Sequence, residues 1–307
     1  MGSTRMSKKR IVITGLGMVS PLGNTVTDNW NNLLAGVSGI GPITRFDASN
    51  LACQIAGEVK DFDITQYIPA KEARRMDVFI HYGIAAAFQA IEDAGLDNIE
   101  GLDKTRVGVN IGAGIGGLPS IEATGADVIA GGIRKINPFF IPGSLINLIA
   151  GHVTIMKGYQ GPSYGIVSAC TTGAHGIGDA ARMIASGDAD IMSAGGAEGA
   201  ICTLGMGGFA AMKALSTRND EPQKASRPWD KERDGFVMGE GAGVMVLESY
   251  DSAVARGAKI YAELLGFGMS SDAHHITAPT IDGPALAINR ALKDAGVEPT
   301  DIDYVNA

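Results

Sequence analysis

Residues 165–196, GIVSACTTGAHGIGDAARMIASGDADIMSAGG, decide the fold, because two apolar runs flank a helical segment rich in small residues. GIVSA (165–169) predicts a buried strand, and ADIMSAGG (189–196) predicts another. The segment between them predicts a helix that begins after Cys170 and ends at Gly187, since glycine commonly closes helices. Strands that alternate with helices in this way indicate a parallel or mixed sheet with helices on both faces.

The same alternation continues on both sides of this unit. Further strands are predicted at RIVIT (10–14), RVGVNIGAG (106–114), GAGVMVLES (241–249) and AKIYAELLGFGMS (258–270). Helices are predicted over 26–36, with Gly36 at the end, and over 71–96. GLGMVSPLGN (15–24) is predicted to be a turn-dense loop.

An internal similarity suggests that the chain contains two related halves. AIEDAGLDNIEGLDKTRVGVNIGAG (90–114) resembles ALKDAGVEPTDIDYVNA (291–307) in its helix end, its turn and its strand. In particular, Asp93 and Asp294 occupy matching positions. The chain stops directly after the last predicted strand, at Ala307, so we expect the second half to be incomplete.

The composition narrows the classes of function. A net charge of −8 argues against a nucleic-acid-binding protein, which normally presents a basic face. The three cysteines form no CxxC pair, so a reducing compartment is favoured over a disulfide framework. No apolar run reaches the length of about 18 residues that indicates a membrane helix. MGSTR (1–5), before a second methionine at Met6, is typical of a cloning remnant.

Two glycine clusters follow predicted strands without matching a nucleotide-binding fingerprint. GLGMVS (15–20) ends in serine, and GAGIGG (112–117) has the spacing GxGxGG. Close backbone packing is therefore the favoured role of these glycines. Cys170 and His175 could be metal ligands, but five helical residues turn about 500° and set their side chains roughly 140° apart. Without a third ligand nearby, we expect neither a metal nor a cofactor.

Cys170 has two remaining interpretations, a small core residue or a nucleophile. Free cysteines are among the most buried residue types, which favours the core. A junction of strand and helix favours the nucleophile, because unpaired N–H groups and the helix dipole stabilise a thiolate. Such a turn also exposes its side chain at the edge of a sheet. Cys53 and Cys202 lie in loop-like segments without this setting, yet the residues alone leave both interpretations of Cys170 open.

The segment from Gly161 to Glu198 resembles the active-site region of the β-ketoacyl-acyl carrier protein synthases, in the thiolase superfamily. The likeness continues through PFFIPGSLINLIAGH (138–152) and ALSTRNDEPQKASRPWDKERDGFVMGEGAG (214–243), and it is closer to the elongating type II members than to type I. It implies a thiolase-like α/β fold of two pseudo-repeated halves, with helices sandwiching mixed sheets. We expect a start segment at 1–6, a first half over 7–257 and the beginning of the second half over 258–307.

The resemblance also implies an activity, the elongation of fatty acids. Cys170 would take an acyl chain from its carrier protein as a thioester, and its backbone N–H would help to bind the oxyanion. Malonyl carrier protein would then lose CO2, and its carbanion would attack the thioester. The resemblance places Ile115 and Phe209 in the acyl pocket and Thr277 beside the pantetheine arm. It places Lys71, Arg74, Arg75, Arg134 and Lys135 on the basic surface that docks the acidic carrier protein.

These carried-over roles compete with ordinary structural ones. An apolar side chain such as Ile115 or Phe209 is as often a core residue, and a basic residue is more often part of a solvated helix face. The pair His274 and His275 is more typical of solvated surface than of a site. The expected partners are acyl- and malonyl-loaded carrier protein and a second identical subunit in the cytoplasm, with neither nucleic acid nor membrane.

The C-terminus is where the sequence departs from the family. There the family continues from VNA into a histidine-glycine-threonine motif, a lysine, a second histidine and a gating loop. All of these positions would lie beyond Ala307, and His274 and His275 do not replace them. We therefore expect this chain to accept an acyl group at Cys170 at most, without completing the condensation.

Two other functions stay open as alternatives. The first is a non-catalytic partner that resembles the chain-length-factor subunits, which characteristically lack the nucleophile, so Cys170 argues against it. The second is a thiolase or initiating synthase that uses coenzyme A thioesters. SRPWDKERDGF (226–236) and the acyl-pocket matches favour elongation instead.

Overall fold

The computed structural model describes residues 9–306. The start segment predicted at residues 1–6 lies outside the described residues, as does Ala307. The strands are β1 Ile11–Val19, β2 Gly41–Pro42, β3 Ile55–Ala56, β4 Val107–Gly112, β5 Ser163–Tyr164, β6 Ile191–Glu198, β7 Gly241–Ser249 and β8 Ala262–Glu263. The helices are α1 Val26–Leu34, α2 Ala70–Ala73, α3 Val78–Asp93, α4 Leu118–Gly131, α5 Phe140–Ser144, α6 Leu148–Lys157, α7 Thr172–Ser186, α8 Thr203–Ala211, α9 Tyr250–Ala255 and α10 Asp282–Ala295.

Short 3₁₀ helices connect several of these elements. They cover Ile64–Gln66, Leu96–Asn98, Lys104–Arg106, Ile133–Lys135, Ala169–Thr171, Pro222–Lys224 and Pro299–Asp301. None of the helices in residues 9–306 has the length and apolar character that crossing a membrane requires.

A six-stranded mixed sheet in the order β5-β4-β6-β7-β1-β8 organises the chain. β5, β4 and β6 run parallel, whereas β7 and β1 are antiparallel to their neighbours. Because β4 and β6 are parallel, their carboxyl ends meet at one edge of the sheet, with Gly112 opposite Gly196. Loops and helix starts at such an edge are where α/β proteins place their sites.

Helices pack on both faces of this sheet, as predicted. α3 contacts β1, β6 and β7, and buries Phe79, Ile84 and Ile91 in the main core. α7 contacts β4, β6 and β7 from the other side. Its sheet-facing positions Ala180 and Ile184 are fully buried, at the i and i+4 spacing that places two side chains on one helix face.

The internal repeat is a packing arrangement in which a strand glycine meets a helix backbone. A Cβ added at Gly17 would lie 1.8 Å from the carbonyl oxygen of Ala86 in α3. A Cβ added at Gly268 would lie 2.1 Å from the carbonyl oxygen of Ala287 in α10. Only glycine allows two backbones to approach this closely. The two halves thus use the same device to join an extended segment to a helix.

A pair of carboxylates repeats the same relation. Asp93 at the end of α3 accepts the backbone N–H of Leu16 at 3.0 Å, and Asp294 in α10 accepts that of Phe267 at 2.9 Å. These are the two aspartates that match in the sequence, so the matching helix ends of the two halves are confirmed. The strand predicted to close the second half is wrong, because residues 302–306 form none.

The loop predicted at residues 15–24 is wrong over its first half. β1 continues through the glycines to Val19, which pairs with Ala242 of β7. The glycines that suggested a turn are extended strand residues, and they are small because α3 lies directly on them. The helix predicted over 26–36 is confirmed by α1, which Thr25 caps by accepting the N–H of Asp28.

The strand predicted at 165–169 is also wrong. β5 ends at Tyr164, and the chain then leaves the sheet to reach the start of α7. The helix predicted over 71–96 is divided, because the side chain of Asp77 caps a new helix by accepting the N–H of Phe79. The strand predicted at 258–270 is reduced to β8, whereas β7 lies where it was predicted.

Candidate active site

Cys170 lies in the 3₁₀ turn Ala169–Thr171, immediately before α7, and its side chain is exposed. Cys53 and Cys202 are both buried, so the core interpretation applies to them and is wrong for Cys170. The preceding residue, Ala169, has a φ of 51°, a left-handed conformation that an alanine rarely adopts. Backbone strain of this kind at a turn that presents a side chain is a feature of nucleophile elbows.

Hydrogen bonds to the residues around Cys170 fix the shape of this turn. The Oγ1 of Thr172 accepts the backbone N–H of Ser168 at 2.9 Å, and the N–H of Thr171 donates to the carbonyl of Ser168 at 3.2 Å. The Oγ of Ser168 and the Nδ1 of His175 are 2.7 Å apart. His175 is therefore hydrogen-bonded to Ser168 rather than to Cys170.

Glycines bring the start of α7 against the edge of the sheet. A Cβ added at Gly112 would lie 2.1 Å from the carbonyl oxygen of Ile166, and one added at Gly196 would lie 3.2 Å from the Cα of Gly173. The close-packing role predicted for the glycine cluster at 112–117 is confirmed at Gly112. This approach places the Cys170 turn over the carboxyl ends of β4 and β6.

Ile115 follows β4 at this same edge and is 39% exposed. Its backbone N–H donates to a carboxylate oxygen of Glu198, the last residue of β6, at 2.8 Å. Burial raises the pKa of Glu198, and hydrogen bonds from neighbouring backbone N–H groups oppose this shift. Sequence reasoning missed Glu198, since a single glutamate after a glycine pair carries no motif.

Phe209 lies on α8, and its ring packs edge-on against Phe236 with centroids 5.4 Å apart. α8 contacts α4, the helix that follows Ile115, and Glu122 of α4 accepts the N–H groups of Thr203 and Leu204 at the start of α8. The two predicted acyl-pocket residues are therefore carried by segments that pack together.

An open cavity of about 820 Å³ lies beside the ring of Phe236 and is also bordered by Trp229. Arg227, Lys231 and Arg233 also line it, which makes one wall basic. Its combination of aromatic and cationic side chains could accept a ligand that has both an apolar and an anionic part.

Thr277 is exposed in the loop between β8 and α10. Its backbone N–H donates to the Nδ1 of His275 at 3.1 Å, so its described hydrogen bonds are within its own loop rather than with the Cys170 turn. His274 and His275 are exposed, as expected of solvated surface.

The basic residues predicted to dock a partner lie in two segments. Lys71 and Arg74 are exposed in and just after α2, and Arg134 and Lys135 are exposed in the 3₁₀ turn after α4. Arg75 links the two segments, because its guanidinium lies 4.3 Å over the ring of Phe139 and also pairs with Glu72 at 3.0 Å. Phe139 lies four residues after Lys135, and the five basic residues are together called the basic patch below.

Across residues 9–306, no group of three or more histidine, cysteine, aspartate or glutamate side chains is arranged to hold a metal ion.

Comparison with known proteins identifies the family. The model of the beta-ketoacyl synthase N-terminal domain matches residues 8–253, and that of the C-terminal domain matches residues 261–307. The chain belongs to the beta-ketoacyl synthase family. It is 60% identical to 3-oxoacyl-[acyl-carrier-protein] synthase 2 of Vibrio harveyi, over 98% of this chain and 73% of that protein.

Solved structures agree with this assignment. A beta-ketoacyl synthase from Burkholderia phymatum superposes with a TM-score of 0.88 at 35% identity, over 97% of this chain and 73% of that one. The AntDE:AntF complex, a type II PKS acyl-carrier protein with its ketosynthase, superposes with a TM-score of 0.85 at 33% identity, over 97% and 72%. The thiolase-like α/β fold expected from the sequence is thereby confirmed.

Proposed function

We propose that this protein catalyses the condensing step of fatty-acid elongation, as a 3-oxoacyl-[acyl-carrier-protein] synthase. One observation carries the proposal: Cys170 is exposed on a strained turn at the start of α7, while the other two cysteines are buried. The 60% identity with a synthase of that name supports the same conclusion. The alternatives, a non-catalytic partner subunit and a coenzyme A-dependent thiolase, are not favoured by these relatives.

In the first step the Cys170 thiolate attacks the carbonyl carbon of an acyl carrier protein thioester. A new C–S bond forms, the old C–S bond breaks, and the carrier leaves as a thiolate that takes up the proton lost by the Cys170 thiol. The first N–H groups of α7 lack helical acceptors, and the helix dipole favours negative charge at this end. The backbone N–H of Cys170 is the oxyanion donor that the resemblance suggests.

In the second step malonyl carrier protein loses CO2, and the resulting carbanion attacks the Cys170 thioester. A C–C bond forms and the Cys170 thiolate leaves, which regenerates the free nucleophile. No residue of this chain is assigned to the decarboxylation.

The acyl chain occupies a pocket to which Ile115 and Phe209 contribute. The contact between α4 and α8 supports this role, because it brings the segments of both residues together. Thr277 is proposed to bind the pantetheine arm on the strength of the resemblance alone.

The basic patch of Lys71, Arg74, Arg75, Arg134 and Lys135 is proposed to dock the acidic carrier protein. Clustered exposed cations on a chain of net charge −8 are suited to steer an acidic partner to one place on the surface. The solved complex of a related ketosynthase with its acyl-carrier protein supports this type of partner.

We also propose a homodimer that works in the cytoplasm. β5 stands at the end of the sheet and pairs with β4 on one side, so its outer edge can pair with the β5 of a second copy. Residues 7–257 are assigned to the first half and 258–307 to the second, in line with the repeated glycine packing on α3 and α10.

The test is to supply an acyl group on carrier protein or on coenzyme A, and to detect the acylated protein by mass spectrometry. We expect one added acyl group from the carrier-bound substrate and none with Cys170→Ala, while Cys53→Ala serves as a matched control that retains the transfer. Acylation from coenzyme A thioesters alone would overturn the assignment in favour of the thiolase alternative.

A further inference from the structure

A carboxylate at the end of β6 holds the loop that carries Ile115. One oxygen of Glu198 accepts the backbone N–H of Ile115 at 2.8 Å, and the other accepts that of Gly116 at 3.1 Å. The backbone N–H groups of Gly114 and Gly199 also act on this carboxyl. A single side chain therefore serves several consecutive N–H groups of the loop, in the manner of an anion bound in a backbone concavity.

The same loop touches the turn that presents Cys170. A Cβ added at Gly114 would lie 3.0 Å from the Oε2 of Glu198 and 3.3 Å from the carbonyl oxygen of Ala169. Gly114 is thus clamped between the carboxylate and the residue before Cys170. Any movement of the loop changes the position of Ile115 relative to that turn.

The carboxylate is well suited to hold this geometry. Hydrogen bonds to a charged acceptor are stronger than neutral ones, and the fold leaves each loop N–H facing Glu198 rather than another acceptor. Glutamine at this position has one acceptor oxygen, and its NH2 group would face N–H donors. The loop would then lose part of its anchoring without any change in side-chain size.

We propose that Glu198 is a positioning residue for the acyl pocket: its carboxylate fixes the loop of Gly114, Ile115 and Gly116 so that Ile115 meets the acyl chain delivered to Cys170. This role rests on the acyl transfer proposed above. Glu198 acts through the loop and has no part in the chemistry at the thioester.

Glu248 provides a matched control in the same sheet. It is a fully buried carboxylate on β7 that binds Arg256 at 2.7 Å and accepts the hydroxyl of Ser252 at 2.7 Å. Its partner across the ladder is Ile191, at the opposite end of β6 from Glu198. At about 3.3 Å per residue, the two ends of that strand are roughly 23 Å apart. Loss of Glu248 therefore affects stability without reaching the loop.

The experiment compares the full chain with Glu198→Gln, Glu198→Asp and Glu248→Gln. Acyl transfer to Cys170 is followed in a single turnover with a short-chain and a long-chain acyl carrier protein. The limiting rate constant and the half-saturating concentration for each are written kcat and KM below. Amide hydrogen exchange measures the protection of the loop N–H groups, and thermal unfolding measures stability. The rate of iodoacetamide alkylation measures the reactivity of the Cys170 thiol with a reagent that does not occupy the acyl pocket.

For Glu198→Gln we expect KM for the long chain to rise about tenfold, the effect of about 1.4 kcal/mol of lost binding. KM for the short chain, kcat and the iodoacetamide rate should change less than about threefold, and the amides of Ile115 and Gly116 should exchange faster. Glu198→Asp keeps the charge, so its KM for the long chain and its loop exchange rates should lie between those of the parent and of Glu198→Gln. This variant provides the measurement if Glu198→Gln does not fold. Glu248→Gln should lower the melting temperature and leave the ratio of the two KM values unchanged.

Two results would overturn the proposal. Equal changes for both chain lengths, in step with the loss of stability, would make Glu198 merely structural. Unchanged loop exchange in Glu198→Gln would remove its supposed mechanism. If instead the parent chain takes no acyl group at all, the function proposed above fails first, and the role of Glu198 fails with it.

Discussion

Gly112 offers a direct test of how closely α7 must approach the sheet. It is the last residue of β4, and a Cβ added there would lie 2.1 Å from the carbonyl oxygen of Ile166 and 2.6 Å from the Cγ2 of Thr172. We predict that Gly112→Ala destabilises the fold and displaces the segment that leads to Cys170. The matched control is Gly125→Ala, on the exposed face of α4, where an added Cβ would have no neighbour within 4 Å.

The size of the effect follows from these distances. Ordinary contacts of a Cβ begin at 3.4 Å, so the carbonyl of Ile166 would have to move by more than about 1 Å. Overpacking of this kind costs about 1–3 kcal/mol, and a backbone obstacle favours the upper end, near 3 kcal/mol. Gly125→Ala should instead stabilise by about 1 kcal/mol, the difference in helix propensity between glycine and alanine.

Urea unfolding followed by circular dichroism measures both changes. The midpoint should fall for Gly112→Ala and rise for Gly125→Ala, with similar slopes in the two variants. The rate of iodoacetamide alkylation at Cys170 should change only in Gly112→Ala. A Gly112→Ala protein as stable as its parent, with unchanged alkylation, would refute the tight approach of α7 to β4.

Three further predictions concern other groups. Burial raises the pKa of Cys202 to about 11, so its alkylation should be slow at neutral pH and accelerate up to about pH 11. Peptide mass spectrometry measures the labelling, and fast labelling of Cys202 at pH 7 would contradict this prediction. Arg106 binds the carboxylate of Asp190 and the carbonyl of Gly187, which ends α7. Because the ion pair of Arg106 and Asp190 is about one-third exposed, Arg106→Ala should lower the free energy of unfolding, measured in urea, by only about 1 kcal/mol. Burial lowers the pKa of His81, so the folded protein favours the neutral imidazole. The stability contributed by neutral His81 should be fully present above the pKa of about 6.5 in the unfolded chain, and it should be lost as the pH falls below that value. His81→Gln should flatten that decline between about pH 6.5 and 5, whereas an unchanged slope in pH-dependent thermal melts would contradict it.

The elements that local pattern predicted correctly are those whose cause is local. Over 241–246 β7 alternates between buried and less buried positions, and α7 ends at Gly187 in the left-handed conformation that glycine favours. β1 was missed beyond Thr14 because its glycines are small for a non-local reason, the backbone of α3 lying against them. Local signals cannot distinguish such glycines from those of a turn.

The site residues also divide into those with a local sequence signal and those without one. The setting of Cys170 between an apolar run and a helix already raised the nucleophile interpretation, and its exposure in the structure decides against the core. The role of Glu198 could not be predicted from the sequence, because it depends on β4 and β6 running parallel. That pairing brings residues more than 80 positions apart together at one edge of the sheet. Parallel pairing over that separation leaves no short-range signature.

The most direct test of the central claim locates the acyl group itself. The full chain is mixed with an acyl carrier protein thioester, without any malonyl donor, and its intact mass and peptides are measured. We predict one added acyl group on the peptide that contains Cys170, present in Cys202→Ala and absent in Cys170→Ala. An acyl group on another residue, or one that persists in Cys170→Ala, would contradict the assignment of Cys170 as the nucleophile.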